Sequence, residues 1–431
     1  MPRWFLRGLV LFVLVFAAIA ALVAANRRDD ANEPAPAPTP TPRQATSAAD
    51  HLRTLQRIAA AGGGTRAAGT PGDRATAEYV AARLRAAGYR VSTQSLRVPF
   101  YSERRPPRVV VSGRRLRQIR TFQFSAGGRA TGLVRAVGLG CAASDYGALQ
   151  AGEIALARRG DCFFFEKARL ARRAGAAAML VVNDGPRPTP GSLFRPGPGI
   201  PVVGLSESAG AGLAGRSATV SVDAVSERRR TTNVVGEAGP ADAARVVMAG
   251  AHSDSVPAGP GMNDNGSGVV ALLTVAERIP ARRLPPGSAL RLGFWGGEEL
   301  GLLGSRHYVD GLTSDERRRI AAYLNLDMVG SPGAKPAVYD GAAIRGPARA
   351  GALRIEAALR RHLPRRAPQV RLSGDSDHAS FEARDIPAGG LFTGLDDCYH
   401  QPCDRLGNVD RAVLATSTRA TEAALLELAR G

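Results

Sequence analysis

From residue 229 to the C-terminus, short apolar runs alternate with segments of helical periodicity. We predict strands at Arg245–Gly250, Leu290–Trp295, Tyr323–Leu326 and Gly390–Thr393, and helices at Val269–Arg278, Leu300–Tyr308, Ala348–His362 and Val413–Ala429. Alternating strands and helices are typical of a parallel sheet whose crossover helices cover both faces. The predicted fold class is therefore α/β, with a mostly parallel twisted sheet sandwiched by helices.

Residues of the types that bind metal ions follow these predicted strands or lie in the loop beside them. They are His252, Asp264, Glu298, Glu299, Asp327 and His400. Asp264 lies in a tight loop, Met262–Gly268, next to the helix predicted from Val269. Because open α/β sheets form their sites beyond the carboxyl ends of the strands, we expect these side chains to converge.

Each of these residues has an ordinary explanation when it is taken alone. A single His or Asp is usually a solvated surface group, an Asp before a helix is usually a cap, and acidic residues at a helix start favour the helix dipole. Six separate ordinary explanations do not account well for six such residues at neighbouring strand ends or in the loop beside them. We therefore predict a metal site.

The residue types favour zinc, which accepts imidazole nitrogen and carboxylate oxygen, although carboxylate-rich sites also accept Co²⁺ or Mn²⁺. One carboxylate can bridge two ions about 3.5–4 Å apart, as two-metal hydrolases require. Of the adjacent Glu298 and Glu299, one would then bind metal and the other would act as a general base on water. The expected chemistry is hydrolysis at two zinc ions.

The N-terminus has the pattern of an export signal. Arg3 and Arg7 precede an apolar run at residues 8–25, and two further arginines follow Asn26. Positive residues before an apolar run are typical of signal peptides, and this run is at the lower limit for spanning a bilayer. A cleaved signal peptide and a retained membrane anchor both fit. Both predict an extracellular or cell-surface protein, either secreted or anchored through residues 8–25.

The charge of the chain bears on its partners. The formal net charge is +19, and all of the 57 basic residues except Lys167 and Lys335 are arginine. Such a surface favours anionic membranes or cell-wall polymers. Nucleic acid is not a predicted partner, because the arginines are dispersed and only 5% of the residues are aromatic, which leaves no stacking platform. Nothing in the sequence indicates an oligomeric state.

Composition divides the chain into segments. Proline at alternate positions after Glu33 excludes a helix and a central strand, and it indicates an extended linker. A helix is predicted at Asp73–Ala87, with Asp73 as its N-cap. Short β-like runs and glycine turns then indicate an inserted β-rich domain. The predicted segments are 1–28 (signal peptide or anchor), 29–46 (linker), 47–104 (first part of the α/β domain), 105–228 (insert) and 229–431 (second part).

The four cysteines form two local pairs, Cys141 with Cys162 and Cys398 with Cys403. An even number of cysteines in an exported chain favours disulfides. Reduced thiols or a cysteine zinc site fit less well, because no CxxC spacing occurs. We therefore predict two disulfides.

Several sequence blocks resemble the co-catalytic zinc aminopeptidases of the aminopeptidase S and aminopeptidase Y type. The blocks are His252–Val256, Asn263–Gly268, Phe294–Ser305, Leu324–Val329, Ser376–Ala379 and Cys398–Cys403. The resemblance extends from roughly residue 45 to 430. It implies a zinc exopeptidase fold with two zinc ions and peptide substrates. The insert in turn resembles the protease-associated (PA) domain, through Gly160–Phe165 and Ala174–Asn183, which implies a role in substrate access or interactions.

The resemblance also implies how the metal ligands are divided. One zinc is expected on His252 and Asp327. The other zinc is expected on Glu299 and His400, and Asp264 would bridge the two ions.

The same resemblance implies catalytic and positioning roles. Glu298 is expected to be the general base, and Asp254 is expected to orient the first histidine ligand. Tyr399 is expected to donate a hydrogen bond to the tetrahedral oxyanion, although a core aromatic beside a disulfide is the ordinary explanation. His307 and His378 are expected to be structural.

Removal of N-terminal residues from peptides is the predicted activity, because carboxylates near the metals can pair with the substrate ammonium. A carboxypeptidase or dipeptidase on the same scaffold is the alternative, and it would need a cation such as Arg371 or Arg384. A non-catalytic binding protein or a one-zinc glutaminyl cyclase fits less well with a full set of five ligands. Asp375, where some relatives have arginine, and the short loop 393–398 depart from the family near the expected substrate pocket.

Overall fold

The strands that carry the predicted site belong to one large sheet. The computed structural model describes residues 46–371 and 374–431. Its strands are β1 (Arg90–Val111), β2 (Arg114–Arg115), β3 (Ile119–Thr121), β4 (Gly128–Ala136), β5 (Ile154–Arg158), β6 (Ala178–Val182), β7 (Val202–Leu205), β8 (Ser217–Ala238), β9 (Arg245–His252), β10 (Ser288–Trp295), β11 (Ile320–Leu326), β12 (Ala337–Tyr339), β13 (Gln369–Val370) and β14 (Ala388–Phe392).

Helices connect and cover these strands. They are α1 (Ala48–Ala61), α2 (Pro71–Ala86), α3 (Phe164–Arg173), α4 (Glu207–Gly210), α5 (Gly266–Arg278), α6 (Leu303–Asp310), α7 (Ser314–Arg319), α8 (Arg349–Arg361), α9 (His378–Glu382) and α10 (Arg411–Arg430).

The centre of the sheet is parallel. Strands β10, β9, β11 and β14 are neighbours in that order and all pair in parallel. Strands β8 and β12 flank this group and pair antiparallel with β10 and β14. The predicted α/β fold, a sheet flanked by helices, is confirmed. Its antiparallel flanks were not predicted, and they are possible because antiparallel neighbours need no helical crossover.

Both faces of the parallel centre are buried, as the alternation along β9 shows. Val247 and Ala249 pack into a core shared with α1, α2, α5, α8 and α10. Val246 and Met248 point to the opposite face, where they join a core that contains Trp295. Side chains alternate between the faces of a strand, so two covered faces require the nearly continuous apolar run of this sequence.

A long two-stranded ribbon leads from the main sheet into the insert. Strands β1 and β8 pair from Arg90 with Glu237 to Val111 with Ala218. The first end joins the main sheet through β10, and the other end joins β4. From β4 the sheet continues through β5, β6, β7 and β3, with buried apolar clusters of its own.

The predicted elements of the C-terminal part agree with the structure to within a few residues. Helix α6, however, begins at Leu303 instead of Leu300, because residues 298–302 form turns and Leu302 adopts a left-handed φ of 60°. The prediction that Asp73 is an N-cap was wrong. Helix α2 begins at Pro71, and the Thr70 hydroxyl accepts the hydrogen bond from the Asp73 N–H. The Asp73 carboxylate is buried instead and accepts hydrogen bonds from the Gly69 N–H and the Thr231 hydroxyl.

The predicted export signal, residues 8–25, and nearly all of the linker at 29–46 lie outside the described residues. Across 46–371 and 374–431, no helix combines the length and the apolar character needed to cross a bilayer. Disulfides join Cys141 to Cys162 and Cys398 to Cys403.

Candidate metal centre

The parallel centre of the sheet brings the predicted ligands to one edge. His252 is the last residue of β9 and lies level with Trp295, the last residue of β10. Glu298 and Glu299 occupy the turn that follows β10, and Asp327 directly follows β11. These strand ends are adjacent because β9 pairs with both β10 and β11.

The remaining two ligands come from loops. Asp264 lies just before α5, whose N-cap is Asn265, and the peptide bond between these two residues is cis. His400 lies within the loop closed by the disulfide between Cys398 and Cys403, and it adopts a left-handed φ of 59°. The disulfide loop thereby turns the imidazole toward the sheet edge.

The five predicted metal ligands form two groups that share Asp264. In the first group, His252 Nε2 lies 3.2 Å from Asp264 Oδ1 and 3.2 Å from Asp327 Oδ1. In the second group, His400 Nε2 lies 3.2 Å from Asp264 Oδ2 and 3.1 Å from Glu299 Oε2. Each oxygen of the Asp264 carboxylate therefore faces a different histidine. Both groups have the spacing of potential metal ligands.

Asp254 holds His252 and the turn with Glu298 in place. The His252 Nδ1 atom lies 3.2 Å from the backbone oxygen of Asp254 and 3.7 Å from its carboxylate. Because a carbonyl only accepts, Nδ1 must be protonated in that hydrogen bond, so the neutral imidazole that binds a metal ion has its lone pair on Nε2, directed at the site. The Asp254 carboxylate accepts a hydrogen bond from the Glu298 N–H at 3.2 Å.

A chain of hydrogen bonds positions Asp327. The Ser376 hydroxyl donates to Asp327 Oδ2 at 2.6 Å, and Asn325 Nδ2 donates to that hydroxyl at 2.8 Å. The Tyr323 hydroxyl donates to Asn325 Oδ1, and Trp295 Nε1 donates to Tyr323. All four supporting residues are buried, so the carboxylate has little freedom to turn.

Two residues that the sequence analysis did not single out support the Asp264 loop. The Asp404 carboxylate accepts the N–H groups of Asn263 and Asp264 at 2.8 and 2.9 Å. The buried Arg66 guanidinium donates to the carbonyl oxygens of Ser253, Pro260 and Gly261. Arg66 thus ties the loop after β9 to the loop that carries Asp264. Asp404 adjoins the Cys398–Cys403 block and was within reach of sequence reasoning, whereas nothing local marks Arg66.

We expect Arg66→Met to lower the free energy of unfolding by about 3–5 kcal/mol, because it leaves three buried carbonyl groups without their donor. Urea denaturation of the metal-depleted protein measures this change. Arg74→Met, at an exposed position on α2, is the matched control and should change stability little. Equal effects of the two substitutions would contradict the role assigned to Arg66.

Burial and mutual contact shift the pKa values of the ligands. Burial raises the pKa of Glu299 to about 7, and hydrogen bonds to Asp264 and Glu299 raise the pKa of His400 to about 10. Burial lowers the pKa of His252, but the carboxylates of Asp327 and Glu298 outweigh it and leave that pKa well above its usual value. The metal-depleted site therefore holds protons at neutral pH.

Because a metal ion binds neutral imidazole and ionised carboxylate, it must displace those protons. We expect the zinc affinity of the metal-depleted protein to rise with pH through the neutral range and above it, because Glu299, with a pKa of about 7, and His400, with a pKa of about 10, lose their protons as the pH rises. Calorimetric titration with zinc in two buffers of different ionisation enthalpy should show the release of more than one proton in total. A pH-independent affinity without proton release would contradict this prediction.

The donor set fits a bound cation. Within residues 46–371 and 374–431, the buried Glu299 Oε1 and Asp254 Oδ2 atoms have no hydrogen-bond partner. Buried carboxylate oxygens without donors are costly unless a cation compensates them. Imidazole nitrogen and carboxylate oxygen are both zinc ligands, so the residues present fit zinc.

The two groups open into a cleft of about 600 Å³. Glu298 lines it, with Oε2 4.0 Å from His252 Nε2. Tyr399 also lines it, with its ring stacked on the imidazole of His400 at a centroid distance of 3.8 Å. Burial is the main cause that raises the pKa of Tyr399, so its hydroxyl stays a hydrogen-bond donor at neutral pH.

The structure also places the other residues that the sequence analysis named, which are one residue of the substrate pocket, two candidate cations and two histidines. Asp375 lines the cleft. Arg371 pairs with Asp340 and Arg384 pairs with Asp310, so both candidate cations for a substrate carboxylate already have partners. His307 is exposed on α6. His378 is buried and packs edge-to-face against Tyr339.

Comparisons with known proteins agree with this architecture. The profile of Peptidase family M28 matches residues 233–425, and the profile of the PA domain matches residues 131–213. The probable lipoprotein aminopeptidase LpqL of Mycobacterium tuberculosis is 35% identical over 406 residues, which cover 84% of this chain and 81% of that protein.

Solved structures show the same fold. The aminopeptidase from Aneurinibacillus sp. strain AM-1 superposes with a TM-score of 0.66 at 27% identity, and covers 89% of this chain and 94% of that chain. A zinc aminopeptidase from Bacillus subtilis gives 0.62 at 28% identity, with 89% and 96% covered.

The family match and the similarity to aminopeptidases, one of them a zinc aminopeptidase, define the class as metallopeptidases. The chain belongs to Peptidase family M28 and contains a PA domain.

Proposed function

We propose that this protein is an exported zinc-dependent aminopeptidase that removes N-terminal residues from peptides. The observation that carries the proposal is the shared carboxylate of Asp264, whose two oxygens face two separate groups of ligands. The names of its relatives, which include aminopeptidases and a zinc aminopeptidase, support the same activity.

We assign two zinc ions to these groups. His252 and Asp327 would hold one ion, and Glu299 and His400 would hold the other. Asp264 would bridge them, since its oxygens lie 3.2 Å from the nitrogen of each histidine. Zinc, when bound, polarises the scissile carbonyl and makes water acidic enough to become a nucleophile near neutral pH.

Glu298 is the proposed general base. Its carboxylate lines the cleft beside His252, and its backbone N–H is held by Asp254. Burial is the largest cause that raises the pKa of Glu298 well above its usual value, which favours a carboxyl group able to hold a proton. Glu298 would take a proton from the attacking water and pass it to the leaving amine.

Tyr399 is the proposed donor to the oxyanion. Its ring is fixed by stacking on His400, and the residue lines the cleft with 36% of its surface exposed to solvent. A protonated phenol at this position can stabilise negative charge as it develops on the substrate oxygen. Asp254 completes the machinery by fixing His252 and the Glu298 turn, and it need not contact substrate.

The excess of carboxylates in the cleft favours a free N-terminus on the substrate. A substrate ammonium can pair with acidic groups such as Asp375, which lines the cleft. The carboxypeptidase alternative needs a cation for the terminal carboxylate. The cations predicted for that role, Arg371 and Arg384, are engaged elsewhere, whereas Arg306 lines the cleft, so a matched pair of free and N-acetylated peptides decides between the two activities.

A panel of aminoacyl-nitroanilides, assayed with and without a chelator, tests the proposal. We expect hydrolysis that chelation abolishes and added zinc restores. A matched peptide pair, one free and one N-acetylated, tests the end specificity: the blocked peptide should be cleaved at least about 100-fold more slowly, because it lacks the charge that pairs with the carboxylates. Equal cleavage of the two peptides would exclude an aminopeptidase.

The location and the segment boundaries are part of the same proposal. We assign the protein to the cell surface or the extracellular space, and a relative named as a lipoprotein aminopeptidase supports this assignment. We retain 105–228 as the bounds of the PA insert and 47–104 with 229–431 as the peptidase domain. Fractionation of producing cells, with activity measured in each fraction, tests the location.

A further inference from the structure

A second concave surface lies in the insert. It is a cleft of about 740 Å³ at the end of the ribbon, where β1 finishes at Val111 and the chain turns into β2. The residues around α4 form its other side. Four arginines line this cleft: Arg114, Arg115, Arg117 and Arg216.

These four arginines lack acidic partners. Among the described residues, no carboxylate lies within ion-pair distance of any of their guanidinium groups, and all four residues are exposed. Some other arginines of the insert are paired, as Arg135 is with Glu153, whereas others outside the cleft, such as Arg172, have no acidic partner among the described residues. The four cleft arginines differ from these because they surround one concave surface. The four like charges around one cleft therefore repel each other, and an anionic ligand would relieve that repulsion.

The insert as a whole is positively charged, which adds to the positive electrostatic potential at the cleft. Residues 105–228 contain 18 basic and 8 acidic residues, so this segment supplies +10 of the formal net charge of +19. A positive field of this kind steers anionic partners toward the surface. The field alone does not distinguish among anions, but the shape and lining of the cleft do.

The lining favours a peptide over nucleic acid or a membrane. No aromatic side chain lines the cleft, so bases would have no stacking platform. A concave surface also fits a chain better than it fits a flat bilayer. Gln118 and Ser208, whose side chains are joined by a hydrogen bond, add polar groups, and the partly exposed Leu116 adds apolar surface.

Strand β2 offers a backbone edge beside these arginines. Within residues 46–371 and 374–431, β2 pairs only with β1, through Arg115 with Val110 and Arg114 with Val111. An edge strand with unpaired N–H and C=O groups can accept an extended peptide as an additional strand. Guanidinium groups next to that edge can bind carboxylates in a two-point geometry.

We propose that this cleft binds an extended acidic peptide segment, with arginine–carboxylate pairs and the β2 edge supplying recognition. The surface is separate from the metal centre. Thr231 of β8 packs against Gly296 beside the Glu298 turn, whereas Ala218 of β8 pairs with Val111 at the cleft. Roughly 13 strand residues, or roughly 43 Å along β8, separate the two points.

A direct binding measurement tests the proposal with the full chain. The probe is a fluorescent, N-acetylated peptide of alternating Glu and Val, and its neutral match has Gln in place of Glu. N-acetylation blocks removal of its N-terminal residues. Fluorescence anisotropy should show that the acidic peptide binds, that salt weakens the binding, and that the neutral peptide binds at least ~10-fold more weakly.

Two quadruple variants that lose the same amount of charge distinguish binding at the cleft from non-specific attraction by the overall positive charge. Arg114→Gln, Arg115→Gln, Arg117→Gln and Arg216→Gln together should raise the Kd by at least ~10-fold. The control combines Arg172→Gln, Arg173→Gln, Arg187→Gln and Arg365→Gln, at exposed positions outside the cleft, and should change the Kd by less than ~3-fold. Arg115→Gln alone gives a second reading if the quadruple cleft variant unfolds.

Three outcomes would overturn the proposal. One is equal weakening by the two quadruple variants, which would indicate non-specific charge. Another is equal binding of the neutral peptide. The third is that the quadruple cleft variant loses more affinity for phosphatidylglycerol vesicles or for oligothymidylate than for the peptide, which would indicate a membrane or nucleic-acid site. None of these measurements needs hydrolysis, so failure of the proposed peptidase activity would be distinguishable.

Discussion

Glu298→Gln is expected to reduce kcat/KM by about 10²–10⁴-fold, the range typical of a lost general base. Glutamine has nearly the same shape as glutamate, so the turn held by Asp254 should stay in place. It cannot accept the proton from water, and this capacity is what the assigned role requires. The substitution leaves the proposed metal ligands, His252 and His400 among them, unchanged, so zinc content should not change.

Steady-state kinetics on the best nitroanilide substrate, with metal analysis of the same preparation, measure this effect. Glu78→Gln, at an exposed position on α2, is the matched control and should keep full activity. Full turnover by Glu298→Gln would remove Glu298 from the mechanism. Loss of zinc together with activity would instead assign Glu298 a ligand role, which its position near His252 Nε2 makes geometrically accessible.

Asp264→Asn is expected to have the largest effect on metal binding. Among the described residues, the Asp264 carboxylate is the only group shared by the cluster with His252 and Asp327 and the cluster with Glu299 and His400. A third possible cluster, His252 with Glu298 and Glu299, does not contain Asp264. An asparagine offers a single neutral oxygen, so it cannot compensate two cations at once. Activity should fall by at least ~10³-fold, because the proposed two-zinc site would lose both of its ions.

Metal content separates this substitution from loss of a single ligand. Zinc per chain should fall toward zero in Asp264→Asn, whereas His400→Ala should first lose the ion shared with Glu299 and retain the other. Asp223→Asn, whose carboxylate makes an exposed pair with Arg105, is the control. Full zinc content and activity in Asp264→Asn would contradict the bridging role, and unchanged stoichiometry in His400→Ala would contradict the division into two ions.

Local sequence patterns were sufficient for the elements that carry the site. The strand predicted from Arg245 begins there, and the helix predicted from Val269 begins three residues earlier, at Gly266. Such patterns succeed because a strand buried on both faces must be apolar throughout, whereas a helix that packs on a sheet has apolar residues three or four positions apart along its buried face. Asp73 shows the limit, because its position before apolar residues resembles a cap while its real partners are distant in sequence.

The supporting residues were harder to predict for the same reason. Arg66 lies nearly 190 residues from Ser253, whose carbonyl it binds, and no short motif announces that contact. Asp254 was expected to orient His252 through its carboxylate, but the nearer atom is its backbone oxygen. Which atom of a residue makes a contact depends on backbone direction, which the residue type does not specify.

The sequence by itself determined which residue types stand at the carboxyl ends of neighbouring strands, and therefore that a histidine–carboxylate site could form. It did so because strand periodicity and loop position are local properties. Only the tertiary structure decided that the two oxygens of Asp264 face different histidines, and that Arg114, Arg115, Arg117 and Arg216 meet at one cleft without acidic partners. Those facts depend on distances between atoms far apart in the chain, and folding alone sets such distances.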